Sequence, residues 1–517
     1  MKRQSHWVGR KILLIAGLVV VVLIVLANVL AVGIRRDIKS SIKRSLEDRY
    51  ESVAEIQDLQ VSLFPQVHAV ATGIVLRYHG RMDIPPLIKI DKLALSAGLI
   101  GLLRSPKHVA FVHLEGVQMH VPSRTENEAR ENGRAANKIA IPMVIDEMSS
   151  DEALLEILPR EKGNLPHEFH IRRFVIDSYG FDRPSPFRAT LINSEPAGAI
   201  ESEGVFGPWH PDDPGGTPLD AKFSFASGDL GSFRAISGTI SSTGKYGGTL
   251  DHVDVDGYTE TPNFALKDVG NPVALKTHYF ATLDGTNGNT YLKSIEVHLL
   301  HSTINASGEI SATSRVNGRH VSLKINSQDA RLEDFLFLAA KGHEPAMRGG
   351  VSVELVIDVP AGDEPLINSL SLRGQFGVAG GSLTSASAQN KLDSLSRGGQ
   401  GQPKNEEIQN VISNLRGRFA FGKGLVTVSS LTFSVPGAIV QLNGTYKVLK
   451  DDLDLHGHLL LDVKLSKTTT GAKSFFLKFA DSYFKGITGG ASVPIKVTGS
   501  RHDPAFGLDS HNSANQK

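Results

Sequence analysis

The sequence predicts a mainly β protein: an N-terminal transmembrane helix followed by a long, curved, antiparallel β-sheet with a few short helices. Three observations lead to this prediction. An uncharged apolar run stands near the N-terminus, and apolar residues alternate with polar ones from Val61 onward. Amphipathic helical patterns are few, and many of the 51 glycines stand at the ends of alternating runs, where turns need positive φ.

The apolar run, Ile12 to Ile34, has 23 residues and no charge. At about 1.5 Å per residue it reaches roughly 34 Å, enough to cross a hydrocarbon core of about 30 Å. The basic residues before it and the triplet Val29-Leu30-Ala31 also fit a cleavable secretory signal. Since the run exceeds the usual signal core of about 7–15 residues, an uncleaved anchor is the favoured interpretation. The predicted anchor residues are Ile12, Leu18, Leu23, Leu26, Leu30 and Ile34.

Charge around the run does not decide its orientation. Four Lys or Arg residues precede it and five follow it closely, so the positive-inside bias is nearly balanced. A short cytoplasmic tail with an exported body is the commoner arrangement for a single N-terminal anchor, and we expect it here.

Composition excludes several functional classes. The formal net charge is +1, which argues against a nucleic-acid partner because such a partner needs a basic face. The absence of cysteine excludes disulfides, thiolate zinc sites and cysteine nucleophiles. Hydrophobic residues make up 40% of the chain, which is ordinary for a folded protein.

Elements follow in order. Ile38, Ile42 and Leu46, continued by Val53 and Ile56, predict an amphipathic helix after the anchor. Further along, the patterns predict strands at 88–95, 109–121, 144–148, 152–158 and 169–177. Between and after these strands they predict a short helix at 96–104, a surface loop at 122–142 and an irregular Gly/Pro-rich connection at 198–219. Period-two segments then recur at 223–225, 236–240, 253–255, 292–300, 321–325, 351–359 and 370–376.

The clearest alternation lies between Asp452 and Leu465, and its 14 residues predict a strand of roughly 45 Å. Amphipathic helices are predicted at 329–341, 387–396, 406–415 and 474–485, with a flexible loop at 397–404. The aromatic segment Phe475–Phe484 is a candidate for membrane contact or groove closure, although an ordinary packed helix is favoured. A disordered polar tail is expected after Gly507.

The search for catalytic and metal sites indicates that the protein is not an enzyme. His167-Glu168-Phe169-His170 lacks one residue of the zinc-protease signature, and on a strand its two histidines would face opposite sides, so two solvated histidines are favoured. The run Gly238 to Lys245 is one residue too long for a P-loop and is better explained by a hairpin turn.

Three other polar groups are weak candidates for metal ligands. They are Asp251 with Asp254 and Asp256, the turn Asp284 to Asn289, and the pair His456 and His458. None matches a complete ligand set, so we predict no catalytic residue, no metal and no cofactor.

The apolar faces of the strands are the feature with a functional implication. Such a face must be covered by another sheet, by helices or by an apolar ligand. Because predicted helices are too few to cover a long sheet, an open groove that holds lipid acyl chains is the leading hypothesis, and a closed β core is the alternative. The predicted groove-lining residues are Leu453, Leu455, Leu459, Leu461, Val463 and Leu465.

Motifs at both ends of the chain resemble the AsmA-like family of bacterial envelope proteins, relatives of TamB and of bridge-like lipid transfer proteins. At the N-terminal end they are Val61-Ser-Leu-Phe-Pro65, Gly73-Ile-Val-Leu76, Ile88-Lys-Ile-Asp-Lys-Leu93 and the segment 112–121. At the C-terminal end they are Leu415-Arg-Gly-Arg-Phe-Ala-Phe421, Leu431 to Ala438, Leu442-Asn-Gly-Thr-Tyr446 and Gly489 to Gly499.

The resemblance implies a single-pass inner (plasma) membrane protein with most of its chain in the periplasm and a β-groove fold. Its implied role is phospholipid transfer or outer-membrane biogenesis, with phospholipid, the inner membrane and outer-membrane assembly proteins as partners; the alternative is an assembly factor that acts through protein partners. The expected regions are a tail (1–11), the anchor (12–34), N-terminal AsmA-like helix and strands (35–121), a loop (122–142), central sheet (143–385), a C-terminal AsmA-like region (386–507) and a disordered tail (508–517).

Overall fold

The computed structural model describes residues 54–62, 66–77, 82–98, 100–101, 106–122, 143–159, 166–180, 183–194, 196–208, 215–233, 235–267, 270–312, 316, 318–339, 344–400, 402, 411–462, 491–500 and 504–509. The predicted anchor, nearly all of the loop at 122–142 and the aromatic segment Phe475–Phe484 lie outside these residues. Within them, no helix is long and apolar enough to cross a membrane.

The described chain is mainly β, with 25 strands in one sheet. The strands are β1 (Ala54–Ser62), β2 (Val67–Leu76), β3 (Ile88–Ala97), β4 (Lys107–Glu115), β5 (Gln118–Val121), β6 (Met143–Ile157), β7 (His167–Gly180), β8 (Ser185–Ser194), β9 (Ala197–Phe206), β10 (Pro218–Asp229), β11 (Ile236–Ser237), β12 (Thr239–Thr249) and β13 (His252–Leu266). They continue as β14 (Val273–Asp284), β15 (Asn289–Leu299), β16 (Ser302–Ala312), β17 (Arg319–Arg331), β18 (Met347–Val359), β19 (Ser371–Leu383), β20 (Ser413–Gly422), β21 (Leu425–Val435), β22 (Ala438–Lys447), β23 (Asp452–Leu461), β24 (Ala491–Gly499) and β25 (Pro504–Leu508).

Helices are short and few in the described residues. They are α1 (Leu332–Ala339), α2 (Leu366–Ser369) and α3 (Ala386–Gln400), with 3-10 turns at Leu230–Ser232 and Val448–Lys450. The helix predicted at 329–341 is thus confirmed with narrower bounds. The helix predicted at 387–396 is confirmed and is longer, since α3 includes residues that were expected to begin a flexible loop.

Most strands pair antiparallel with the next strand in the chain. The exception is a break between β3 and β6, where β4 and β5 pair antiparallel with β3 but parallel with β6. A purely antiparallel sheet was therefore the wrong expectation. A parallel pair needs a connection of about a dozen residues or more, and the segment between Val121 and Met143 is long enough to supply it.

The sheet has one apolar face, which we call the inward face. It carries Leu453, Leu455, Gly457, Leu459 and Leu461 of β23. It also carries the residues that are in register with them on the neighbouring strands, followed strand by strand across the sheet. The opposite side is the outward face. This division follows from the period of two along a strand, and it confirms the alternation predicted for β23.

The inward face of the first strands is a closely packed, buried core. Inward residues of β2, β3 and β4 pack in one buried cluster with residues of β6, β7, β8 and β10, among them Ile74, Ile90, Leu93, Ile176 and Ala221. The cluster is continuous across the inward face from β2 to β10, and its members are almost completely buried. We call this part, β1 to β10, the closed region.

A contact between distant strands shows that the sheet curves toward the inward face. The side chain of Ile157, at the end of β6, fills the space in which a Cβ on Gly285 would lie, in the turn after β14. The next hairpin is tied to this turn, because the Arg319 guanidinium donates a 2.8 Å hydrogen bond to the carbonyl of Gly288.

Several predicted boundaries were wrong, and glycine was a common cause. The connection predicted at 198–219 is mostly strand, since β9 and β10 occupy most of it and pair with each other. Gly204 lies in the middle of β9 directly opposite Ala221, where the absence of a side chain allows close contact. The run Gly238 to Lys245 likewise continues into β12, and Gly244 faces Gly257 within the sheet rather than in a hairpin turn.

Other differences concern the ends of elements. Ile56, predicted helical, lies in β1, and Ser96, predicted to begin a helix, lies in β3. Strand β20 begins at Ser413, inside the helix predicted at 406–415. Strand β23 has ten residues instead of the predicted 14, because the chain bends at Asp462.

The C-terminal tail was also predicted to begin too early. Leu508 is the last residue of β25, and the amide of Asp509 donates a 3.1 Å hydrogen bond to the carbonyl of Pro494.

Candidate functional site

Beyond the closed region, the inward face forms a continuous apolar strip. Two rows of register partners cross twelve consecutive strands, from β13 to β24. One row comprises Gly257, Tyr279, Ile295, Ala306, Ile325, Leu355, Gly374, Phe419, Val428, Gly444, Leu455 and Val497. The other comprises Val255, Ala281, Leu292, Gly308, Leu323, Ile357, Leu372, Phe421, Val426, Tyr446, Leu453 and Gly499. We call these two rows the open strip; neither contains a charged residue.

Most side chains of the open strip are only half-buried. Ile295, Ile325, Leu355, Leu323 and Ile357 all belong to this class, and none of them is part of a buried core cluster. By contrast, Leu93 in the closed region is 2% exposed. The strip is therefore a large apolar surface that the described residues cover incompletely, and surfaces of this kind mark sites for apolar ligands or partners.

Two helices cover one end of the strands only. Leu332, Phe335 and Leu336 of α1 pack on a small buried cluster that includes Val351 and Val378. In the same way, Leu392 of α3 lies in a cluster with inward residues near the ends of β21 to β24. Both helices stand in connections at the same end of the sheet, so the two rows of the open strip lie beside them rather than beneath them.

The length of the open strip suits extended hydrocarbon chains. Twelve strands at about 4.8 Å spacing span roughly 50 Å across the sheet. A single lipid leaflet contributes about half of a 30 Å hydrocarbon core, or roughly 15 Å. Several acyl chains can thus lie end to end along the strip.

The structure divides the predicted groove-lining residues between two environments. Leu453 and Leu455 belong to the open strip, although Leu455 is 7% exposed. Leu459 and Leu461 are buried in the cluster with Leu392 of α3. Val463 and Leu465 lie outside the described residues.

The outward face has the opposite chemistry. Lys293 and Asp254 form an ion pair at 2.8 Å, as do Lys276 and Glu260. His278 lies 2.8 Å from Asp256 and stacks on the ring of Tyr258, with ring centroids 4.2 Å apart. Such pairs suit a surface in water and contribute little to stability when exposed. The sheet therefore has a charged, polar outward face and an apolar inward face.

His167 differs from its prediction as a solvated residue. It lies on the inward face at the end of β7, half-buried, and its Nε2 has no hydrogen-bond partner among the described residues. Burial, assisted by the positive charge of Arg319 and opposed by Asp284, lowers the pKa of His167 to about 4. His170 faces outward, as predicted, 3.4 Å from Glu168.

The other predicted polar candidates have local partners. Asp254 binds Lys293 and Thr282, and hydrogen bonds from Lys293 and then Thr282 lower its pKa. In the turn after β14, Asp284 accepts a 2.9 Å hydrogen bond from the amide of Thr286. This is the usual role of aspartate in a turn.

His456 also has carboxylate partners. It binds Asp509 at 2.8 Å and Asp454 at 3.0 Å, and the bond to Asp509 is the main cause of its raised pKa. Within the described ranges, no group of three or more His, Asp or Glu residues could hold a metal ion. Catalytic and cofactor residues remain without a candidate there, and the absence of enzymatic activity remains a prediction.

The sequence reasoning missed a feature of the inward face, where aromatic rings lie over glycines. A Cβ on Gly417 would lie 2.6 Å from the ring of Phe376, and a Cβ on Gly257 would lie 2.5 Å from the ring of Tyr279. The rings lie flat along the sheet because the glycines leave room for them. Glycine at an inward position of an alternating strand was the available signal, but it was assigned to turns.

Comparisons with known proteins add no identity: no family model, curated protein or solved structure matches the chain.

Proposed function

We propose that the protein is a membrane-anchored lipid-binding protein whose open strip binds the acyl chains of lipids. The observation that carries the proposal is the pair of uncharged rows across twelve strands, most of whose side chains are only half-buried by the described residues. Burial of apolar surface contributes about 25 cal/mol per Å². Acyl chains along the strip would therefore be bound by the apolar area that they bury rather than by specific polar contacts.

Acyl chains fit the strip better than a protein strand does. Every strand from β13 to β24 has a paired strand on each side, so most of its backbone groups are already hydrogen-bonded within the sheet. The inward positions in the strip also provide almost no hydrogen-bonding side chains, with only Tyr279 and Tyr446 as polar members. A hydrocarbon ligand needs neither kind of bond.

The cellular role follows from the anchor and from the resemblance to AsmA-like proteins. The anchor at Ile12 to Ile34 would hold the groove at the inner membrane, with the body in the periplasm. There the protein would take part in phospholipid transfer toward the outer membrane or in outer-membrane biogenesis, without catalysing a reaction. Reporter fusions after Arg44 and at Lys517 test this topology, and both should report the periplasmic side.

The closed region supports a second candidate function. A dry core such as that around Ile74 and Ile90 gives a rigid body with no room for lipid, as expected of an assembly factor that acts through protein partners. In that case the open strip would bind a protein and not acyl chains.

Lipid extraction from the purified full-length protein tests the proposal. Wild-type protein should carry phospholipid detectable by mass spectrometry. Leu355→Glu should fold but lose most of that lipid, because an unpaired carboxylate beside hydrocarbon costs several kcal/mol.

The matched control is the neighbouring Val356→Glu, which adds the same charge on the outward face and should keep the lipid. Lipid-free wild-type protein that captures an envelope protein would overturn the lipid proposal and favour the assembly factor.

A further inference from the structure

Two tyrosines stand on the inward face at the boundary between the closed region and the open strip. Tyr246 of β12 packs against the buried cluster of the closed region. Tyr279 of β14 is the first large side chain of the open strip beyond it. Both are half-buried, and burial is the main cause of the raised pKa of each hydroxyl, so each keeps its proton at neutral pH.

The two tyrosines repeat one arrangement. Each lies opposite a small residue on the adjacent strand, Ala221 for Tyr246 and Gly257 for Tyr279. Each ring then crosses that strand toward a serine two strands away. Tyr246 Oη lies 2.7 Å from Ser202 Oγ, and Tyr279 Oη lies 3.4 Å from Ser242 Oγ.

Each serine already donates its hydroxyl hydrogen to a backbone carbonyl. Ser202 donates to the carbonyl of Lys222 at 3.1 Å, and Ser242 donates to the carbonyl of Tyr258 at 3.0 Å. Because a hydroxyl has one hydrogen, each tyrosine must be the donor to its serine. The bond from Tyr246 is short, whereas the contact from Tyr279 is long and weak for an O–H donor. Tyr279 therefore has a hydrogen that a better acceptor can take.

More hydroxyls lie beside Tyr279 on the inward face, and the charge that also raises its pKa, the outward-facing Asp256, is negative. Thr259 and Thr277 are inward register partners on β13 and β14, and their hydroxyls are hydrogen-bonded to each other. At the inward positions of β9 to β14 there is no Asp, Glu, Lys, Arg or His. A phosphate placed here would have no cation to pair with, and an unpaired charge near hydrocarbon is costly.

From this we propose that Tyr279, Ser242, Thr259 and Thr277 form a subsite for the uncharged, hydroxyl-bearing head of a glyceride such as diacylglycerol, whose acyl chains lie along the open strip. Tyr279 donates to an ester carbonyl or hydroxyl oxygen of the head, and a threonine oxygen accepts the hydrogen of the free hydroxyl. This proposal rests on the acyl-chain binding proposed above and extends it to the choice of head group.

Competition binding to the full-length protein tests the subsite. Dioleoylglycerol and dioleoyl phosphatidylglycerol, which share their acyl chains, are offered in equal amounts in detergent micelles and bound lipid is measured by mass spectrometry. Wild type should prefer dioleoylglycerol. Tyr279→Phe should reduce that preference about three- to tenfold, which corresponds to the net free energy of one hydrogen bond. The control is Tyr258→Phe, which removes the same hydroxyl from the outward face and should leave the preference unchanged.

The outcomes separate the two proposals. If wild type binds neither lipid, acyl-chain binding itself fails. If it binds both lipids but Tyr279→Phe leaves the preference unchanged, or if wild type prefers phosphatidylglycerol, the subsite is overturned while acyl-chain binding stands. Since Tyr279→Phe keeps the ring over Gly257, the variant should fold, and its melting temperature verifies this.

Discussion

The closed region and the open strip use the same alternation of apolar and polar residues but bury it to different degrees. In the closed region the inward residues of β2 to β4 share one buried cluster with those of later strands, and Ile74 and Ile90 are completely buried. In the open strip the inward residues are equally apolar, yet Leu355 and Ile325 are half-buried. Amphipathic strands thus determine which face is dry, while the curvature of the sheet determines what covers it.

Truncating one leucine in each region should give the largest difference in the free energy of unfolding between the two regions. Leu93→Ala leaves a cavity in a sealed core and should lower the free energy of unfolding by about 2–5 kcal/mol. Leu355→Ala removes a half-exposed side chain and should cost about 1 kcal/mol or less. Urea unfolding of each variant followed by circular dichroism measures both. Equal losses would show that the strip is as well covered as the closed core.

Acid should loosen the contact at which β7 meets β14 and β17. His167 has a folded-state pKa of about 4, below the 6.5 expected when unfolded, so the unfolded state binds more protons between these values. Its contribution to stability is complete above pH 6.5 and is lost as the pH falls toward 4, by roughly 2–3 kcal/mol in total. The positive charge of Arg319 opposes protonation in the folded state, and Asp284 only partly offsets it.

Melting temperature measured from pH 7 to pH 4 tests this prediction. His167→Gln, which cannot take up the proton, should flatten the pH dependence relative to wild type. The outward-facing His170→Gln is the control and should retain it. If both variants follow the wild-type curve, His167 does not couple to folding.

Substitutions in the glycine–aromatic pairs of the inward face should change the free energy of unfolding by a smaller amount. Gly417→Ala would place a methyl group 2.6 Å from the ring of Phe376, and displacing that ring should cost about 1–2 kcal/mol. Gly422 lies on the same strand with nothing within 4 Å of a Cβ, so Gly422→Ala should be close to neutral. Thermal unfolding compares the two, and equal melting temperatures would mean that the ring does not need the glycine.

The regular parts of the fold could be predicted from sequence, because a period of two and a period of 3.6 are local signals. The alternation along β23 and the helices α1 and α3 were found in this way. Features that depend on distant strands were not. Gly204 was placed in an irregular connection and Gly244 in a hairpin turn, because their partners, Ala221 and Gly257, become visible only once the sheet is paired.

The candidate site was predictable to a similar extent. Alternation identified Leu453 and Leu455, but it could not show that α3 covers Leu459 and Leu461. His167 appeared solvated in a polar sequence context, and it is buried because a turn from strands far along the chain lies against it. The approach of each tyrosine to a serine two strands away likewise depends on register, which alternation leaves open.

The central claim is that acyl chains lie on the open strip, and photocrosslinking from one strand tests it most directly. A benzophenone amino acid is placed at Leu355, which faces inward, or at Val356, which faces outward one residue later. After irradiation of the full-length protein in its membrane, mass spectrometry should find lipid attached at position 355 and none at position 356. Adducts at both positions, or at neither, would contradict the account.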